Sequence, residues 1–231
     1  VKRLRRLVFG SGGKSASARD SSARVVVFDF DGTIADTMSI AIEIYNNLAH
    51  DFGMLPITQE EVEVARGMSA RQIVEHYKVP TSKLPSIASK GLKALRQRMP
   101  EVQPCTEVPP LLRELEGLGY VLGILTSNSE ENVRVFLEGH GLPEFSFIRC
   151  SSRIFGKASE LQTLLKTNRW TADQLLFIGD EVRDIEACQT AGVRCAAVTW
   201  GYNTREALAA ASPDYLVDHP GELIRLLQDP D

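Results

Sequence analysis

Val25-Val26-Val27-Phe28 runs directly into Asp29-Phe30-Asp31-Gly32-Thr33, and this stretch decides the fold class. A short apolar run without polar alternation is the pattern of a strand buried on both faces of a parallel sheet. In open α/β sheets ligands bind beyond the carboxyl ends of the strands, which is where Asp29 and Asp31 stand. Asp and Gly also build turns, so the acidic pair alone leaves a structural role open. Three later runs repeat the pattern: Val121 to Leu125, Leu175 to Ile178 and Cys195 to Val198. Between and after them come amphipathic stretches, Val108 to Leu118, Glu130 to His140, Ser159 to Lys166, Asp184 to Ala191 and Arg205 to Ala211. Strands alternating with helices predict an α/β, Rossmann-like parallel sheet with right-handed crossovers.

Between the first and second runs lie about 90 residues with no convincing strand. Ile40, Ile44, Leu48 and Phe52 recur at roughly helical spacing, Ile73 and His76-Tyr77 follow Gly67-Met68-Ser69, and Leu84 to Met99 reads as a further helix. Pro56, Pro80, Pro85, Pro100 and Pro104 punctuate these pieces. The expectation is a small all-helical cap over residues 36–104, inserted into a catalytic core of residues 24–35 and 105–231.

The chain has 231 residues and a formal net charge of −4, which gives no general attraction to nucleic acid. Its start is different: Lys2, Arg3, Arg5, Arg6, Lys14 and Arg19 face Asp20 alone. Residues 1–23 are therefore read as a basic, Ser- and Gly-rich tail without a stable fold. That composition also suits an organelle transit peptide, the alternative to a cytoplasmic location, or a tether to an anionic surface. Gly13-Lys14-Ser15 imitates the end of a phosphate-binding P-loop, but Val8 stands where its first glycine belongs. No apolar run approaches the roughly 20 residues of a membrane-spanning helix. Cys105, Cys150, Cys188 and Cys195 are too sparse for a disulfide framework and have no metal-ligand spacing.

A second acidic pair, Asp180 and Asp184, follows the run Leu175 to Ile178, and the spacing predicts one helical turn between them on a shared face. Acids gathered in one crevice resist ionisation unless a cation sits among them, and hard oxygen ligands favour Mg²⁺ over a thiolate metal. The alternative for Asp184 is a helix-start charge. Thr126-Ser127-Asn128 precedes a helix and offers hydroxyl and N–H groups to an anion, and Lys157 offers a point charge. Helix capping and a solvated surface amine are the plainer readings of these two.

Taken in order, Asp29 to Thr33, Thr126, Lys157, and Gly179-Asp180 with Asp184 resemble the four motifs of the haloacid dehalogenase-like hydrolase superfamily. Within it they are most similar to the phosphoglycolate phosphatase-like branch, and the resemblance covers residues 24 to about 228. It implies that Asp29 is a nucleophile forming an aspartyl-phosphate and Asp31 a general acid and base. It also implies that Mg²⁺ is held by Asp29, Asp180 and the main-chain carbonyl of Asp31, with Asp184 orienting its neighbours. Thr126, Ser127, Asn128 and Lys157 would bind the transferring phosphoryl oxygens. The substrate would be a small phosphorylated metabolite, phosphoglycolate first, with a sugar-phosphate phosphatase, a phosphomutase or a non-catalytic binding protein as alternatives. An acid at Asp31 speaks against removal of halide, which needs no proton there. Arg66-Gly67 lies between two cap helices, and the resemblance places such a loop at the catalytic crevice. A guanidinium fork suits a substrate carboxylate, while a solvated Arg66 and a helix-ending Gly67 are the alternative.

Overall fold

The computed structural model describes residues 25–151 and 156–228. The expectation of an unstructured tail over residues 1–23 lies outside them. Strand β1 (Val25–Phe28) pairs in parallel with β4 (Val121–Thr126) on one side and β6 (Leu175–Gly179) on the other, with Val25 opposite both Val121 and Leu175. Beyond β4 lies β5 (Phe147–Cys150), and beyond β6 lie β7 (Arg194–Val198) and β8 (Tyr215–Val217). The result is a six-stranded, all-parallel sheet in the order β5-β4-β1-β6-β7-β8.

The unbroken apolar run of β1 is explained by two separate cores. Val26 and Phe28 face the side covered by α5 (Val108–Gly117), α6 (Glu130–Gly139) and α10 (Pro220–Gln228). Val25 and Val27 face α7 (Lys157–Asn168), α8 (Val182–Ala191) and α9 (Arg205–Ala210). Burying each such side chain stabilises the fold by about 1.5–3 kcal/mol, and no polar residue in β1 would be tolerated on either face.

Helices α1 (Met38–Phe52), α2 (Val62–Arg66), α3 (Ala70–His76) and α4 (Leu84–Arg98) form the insert. It has its own small core of Ala49, Met54, Tyr77 and Val79, while Ile40, Ile44 and Leu95 join the larger core below. The reading that this segment holds no strand needs correcting at its edges. Two-residue strands β2 (Ala35–Asp36) and β3 (Gln103–Pro104) pair antiparallel where the chain enters and leaves the insert. Among the described residues, no helix is long and apolar enough to cross a membrane.

Candidate active site

The chain leaves β1 at Asp29, whose N–H still reaches across to Ile178 O at 2.8 Å. Asp29 is buried; its Oδ1 accepts the Phe30 N–H at 2.7 Å, and Lys157 Nζ lies 2.6 Å from its Oδ2. That contact is an ion pair rather than a directed hydrogen bond, so among the described residues Oδ2 accepts none. Immediately after, the chain folds back on itself: Ile34 and Ala35 both donate to Phe30 O, and Gly32 turns with φ +77°. Gly32 is needed twice over, because a Cβ there would fall inside the Asp180 carboxylate.

Asp31 stands in a different environment two residues on. Asn128 Nδ2 lies 3.0 Å from each of its carboxyl oxygens, and the Thr37 hydroxyl, 3.0 Å from Tyr202 Oη, also favours its charged form. Asn128 is itself fixed, since its Oδ1 accepts the Ser129 N–H at 2.7 Å and Asn132 Nδ2 at 2.8 Å. Burial, and next the charge of Asp29, push Asp31 up to about 7 despite these donors. One acid of the pair thus faces a cation, and the other is poised to carry a proton.

Asp180 and Asp184 close the site from β6 and α8. Asp180 is held on both oxygens, by Thr33 Oγ1 at 2.5 Å on Oδ1 and by the Tyr202 N–H at 2.7 Å on Oδ2. The expected helical turn between the two acids is corrected: α8 starts at Val182, and Glu181 before it is extended, with φ −121° and ψ 149°. Asp180 therefore precedes the helix, while Asp184 caps it by accepting the Glu181 N–H at 3.2 Å. The alternative role for Asp184 is thus real, yet its other oxygen lies 2.5 Å from Lys157 Nζ. Burial raises both acids, Asp184 to about 6. Lys157 would be pushed down by its own burial, but Asp184 and Asp29 override this and hold it well above the ordinary lysine range.

Asp29, Asp180 and Asp184 each offer an oxygen within 4.8 Å of the others. Of these three buried carboxylates Lys157 pairs with Asp29 and Asp184, Asp180 takes only neutral donors, and among the described residues Oδ2 of Asp29 accepts no directed hydrogen bond. This all-oxygen donor set fits a hard divalent cation. The Asp31 side chain is not in the cluster, being turned to Asn128.

The other expected residues fall as follows. Thr126 ends β4 fully buried, its Oγ1 accepting the Asn128 N–H at 3.0 Å. Lys157 is the first residue of α7, and Ser127 Oγ accepts Arg183 Nη2 at 3.4 Å. Arg66 ends α2, but its fork is turned to the core: Nε donates to Tyr202 O at 3.2 Å, Nη2 to Gly201 O at 3.1 Å, and Nη1 pairs with Glu63. Gly67 follows it in ordinary right-handed backbone. Sequence reasoning quoted Thr33 within its motif without giving it a role, and passed over Thr37, Arg183 and the loop Trp200 to Asn203. The loop follows the carboxyl end of β7, the location rule that had singled out Asp29. Arg183 lies between the two acids already chosen, so both signals were present.

The family model for haloacid dehalogenase-like hydrolases matches residues 26–198. A phosphoglycolate phosphatase from Synechococcus elongatus is 34% identical over 203 residues, covering 87% of this chain and 96% of its own. An N-acetylmuramic acid 6-phosphate phosphatase from Pseudomonas aeruginosa is 28% identical, with 88% and 94% covered. Among solved structures, a haloacid dehalogenase-like family hydrolase from Streptococcus pneumoniae superposes with a TM-score of 0.73 at 22% identity, over 90% of this chain and all of that one.

Proposed function

The chain belongs to the haloacid dehalogenase-like hydrolase family, in its phosphoglycolate phosphatase-like branch, and is an enzyme; from this we propose that it hydrolyses the phosphomonoester of a small metabolite through a phosphorylated Asp29. The observation that carries the reading is the contrast between Asp29, paired with Lys157, and Asp31, clamped by Asn128 and pushed up to about 7. An oxygen of Asp29 attacks phosphorus while protonated Asp31 gives its proton to the departing alcohol oxygen. Water then attacks the aspartyl-phosphate, losing a proton to Asp31, and phosphate leaves with Asp29 regenerated and Asp31 protonated again. Lys157 neutralises phosphoryl oxygens, and Thr126 with the Ser127 and Asn128 segment binds them. Asp29, Asp180 and Asp184, with the Asp31 carbonyl, would hold Mg²⁺, which supplies charge that offsets the repulsion between carboxylate and phosphate. The helical insert acts as the cap that shields the reacting atoms from bulk water.

Phosphoglycolate is the first substrate to try, on the strength of the 34% identical relative. The relative acting on N-acetylmuramic acid 6-phosphate supports a sugar phosphate as the second reading. Released phosphate should be measured over both classes, before and after chelation and with Mg²⁺ restored. Undiminished release after thorough chelation would refute the metal site, and transfer to a second sugar hydroxyl in place of water would make the enzyme a mutase.

A further inference from the structure

Asn203 is buried, and its one side chain joins two parts of the molecule. Its Nδ2 donates to main-chain carbonyls of the insert, Arg66 O at 2.7 Å and Met68 O at 2.9 Å. Its Oδ1 accepts the Val182 N–H at 2.9 Å, at the start of α8, and its own N–H donates to Asp180 O at 3.2 Å. The neighbouring residues repeat this two-sided pattern. Tyr202 gives its N–H to Asp180 Oδ2 and its carbonyl to Arg66, and the Gly201 carbonyl takes the second arm of the same guanidinium. A Cβ at Gly201 would collide with the Asp180 carboxylate, so the loop backbone lies directly against that acid. Thr204 N–H closes the contact by donating to Arg66 O at 3.1 Å.

We propose that Gly201 to Asn203 form a latch that couples docking of the insert to cation binding at Asp180, with Asn203 and Arg66 as its positioning residues. The inference rests on the metal-site reading above. Six hydrogen bonds tie the Arg66 to Met68 segment and this loop to each other or to Asp180 and Val182 through Asn203 and Arg66 side chains and the Tyr202 N–H. Undocking the insert would leave Asn203 Nδ2 and the Gly201 and Tyr202 carbonyls without these partners, loosening the groups that aim Asp180. A cation that fixes Asp180 therefore favours the docked insert, and by thermodynamic reciprocity the docked insert favours the cation by the same factor. Arg66 then serves closure rather than reading a substrate carboxylate.

The test needs no substrate. Mg²⁺ affinity is measured by calorimetry, and amide hydrogen exchange is followed over residues 64–76 and at Thr204 with and without Mg²⁺. In the wild-type chain Mg²⁺ should slow exchange in both places. Arg66→Ala and Asn203→Ala should each abolish that protection and weaken Mg²⁺ binding about tenfold, within the usual range of such couplings. Arg66→Ala carries the test by itself if Asn203→Ala does not fold, because Arg66 bonds to the loop and to Glu63 and to none of Asp29, Asp180 and Asp184. Wild-type Mg²⁺ affinity in Arg66→Ala, or exchange of residues 64–76 that ignores Mg²⁺, would overturn the latch. A wild-type chain with coupled protection that releases no phosphate would refute the phosphatase reading and leave the latch standing. Absence of Mg²⁺ binding to the wild type would remove both.

Discussion

Lys157→Met keeps the length and apolar stem of the side chain but takes away the charge between Asp29 and Asp184, 2.6 and 2.5 Å distant. Lysine and both acids are buried, so the acids cannot recover the lost partner from water. Breaking a buried pair from one side costs about 3–5 kcal/mol, which in a chain of this size lowers Tm by roughly 6–20 °C. The cost depends on pH with a definite sign. Burial already holds Asp184 near 6, above its ordinary 3.8, and loss of Lys157 moves it further up. The folded variant then binds more protons than its unfolded chain between pH 4 and neutrality, so its stability falls as pH rises through that window. Thermal denaturation of metal-free protein should therefore show a large deficit for Lys157→Met at pH 8 and a small one at pH 5. Mg²⁺ at a hundredfold over its Kd restores about 2.7 kcal/mol, and the variant should bind it more tightly than wild type while losing turnover. A Tm deficit that is the same at both pH values, or below about 3 °C at pH 8, would refute the assignment of Lys157 as the counter-charge of the acids.

Asp29→Asn should abolish phosphate release with the circular dichroism spectrum unchanged, because an amide matches the carboxylate in shape but is a very poor nucleophile; wild-type rates would exclude the covalent route. Asp31→Asn should slow poor leaving groups more than good ones, a trend read by comparing alkyl and nitrophenyl phosphates. It should also stabilise the metal-free protein at pH 8 by up to about 4 kcal/mol, since ionising a carboxyl that burial and Asp29 raise from 3.8 to about 7 is unfavourable there. Asn128→Ala removes the donor shared by both oxygens of Asp31 and so favours the protonated form. The high-pH limb of kcat, which reports loss of the acid's proton, should move to higher pH, and an unmoved limb would detach Asn128 from Asp31.

The central strands were legible because they are buried on both faces and carry no polar interruptions. Leu175 to Ile178 is as continuous as Val25 to Phe28. The edge strands were not: β5 is half exposed and carries Arg149, and β8 is only three residues long. Helix α10 begins at Pro220 after a strand that had not been recognised, so nothing in the preceding pattern marked its start. At the site, acids after strand ends were found by location alone. What sequence spacing misjudged was backbone conformation: Asp180 and Asp184 are four residues apart, but an extended Glu181 lies between them. The hydrogen bonds from Asn128 to Asp31 and from Asn203 to the insert join residues 97 and 137 positions apart. No local period reports such pairs.

The position of β1 in the sheet has a consequence for how the protein is made. Its two partners sit 96 and 150 residues downstream, in the register Val25 opposite Val121 and Leu175. At ribosomal rates of about 5–20 residues per second, roughly 8–30 seconds separate synthesis of the strand leading into Asp29 from that of its second neighbour. During that interval Val25-Val26-Val27-Phe28 is an apolar segment with both edges unpaired, the form most prone to join a strand from another chain. The insert, with its own small core, is complete within the wait and can fold early. Asp29 is thus synthesised long before the strand that completes its surroundings, and nascent-chain yield should depend on chaperones acting before residue 180 emerges.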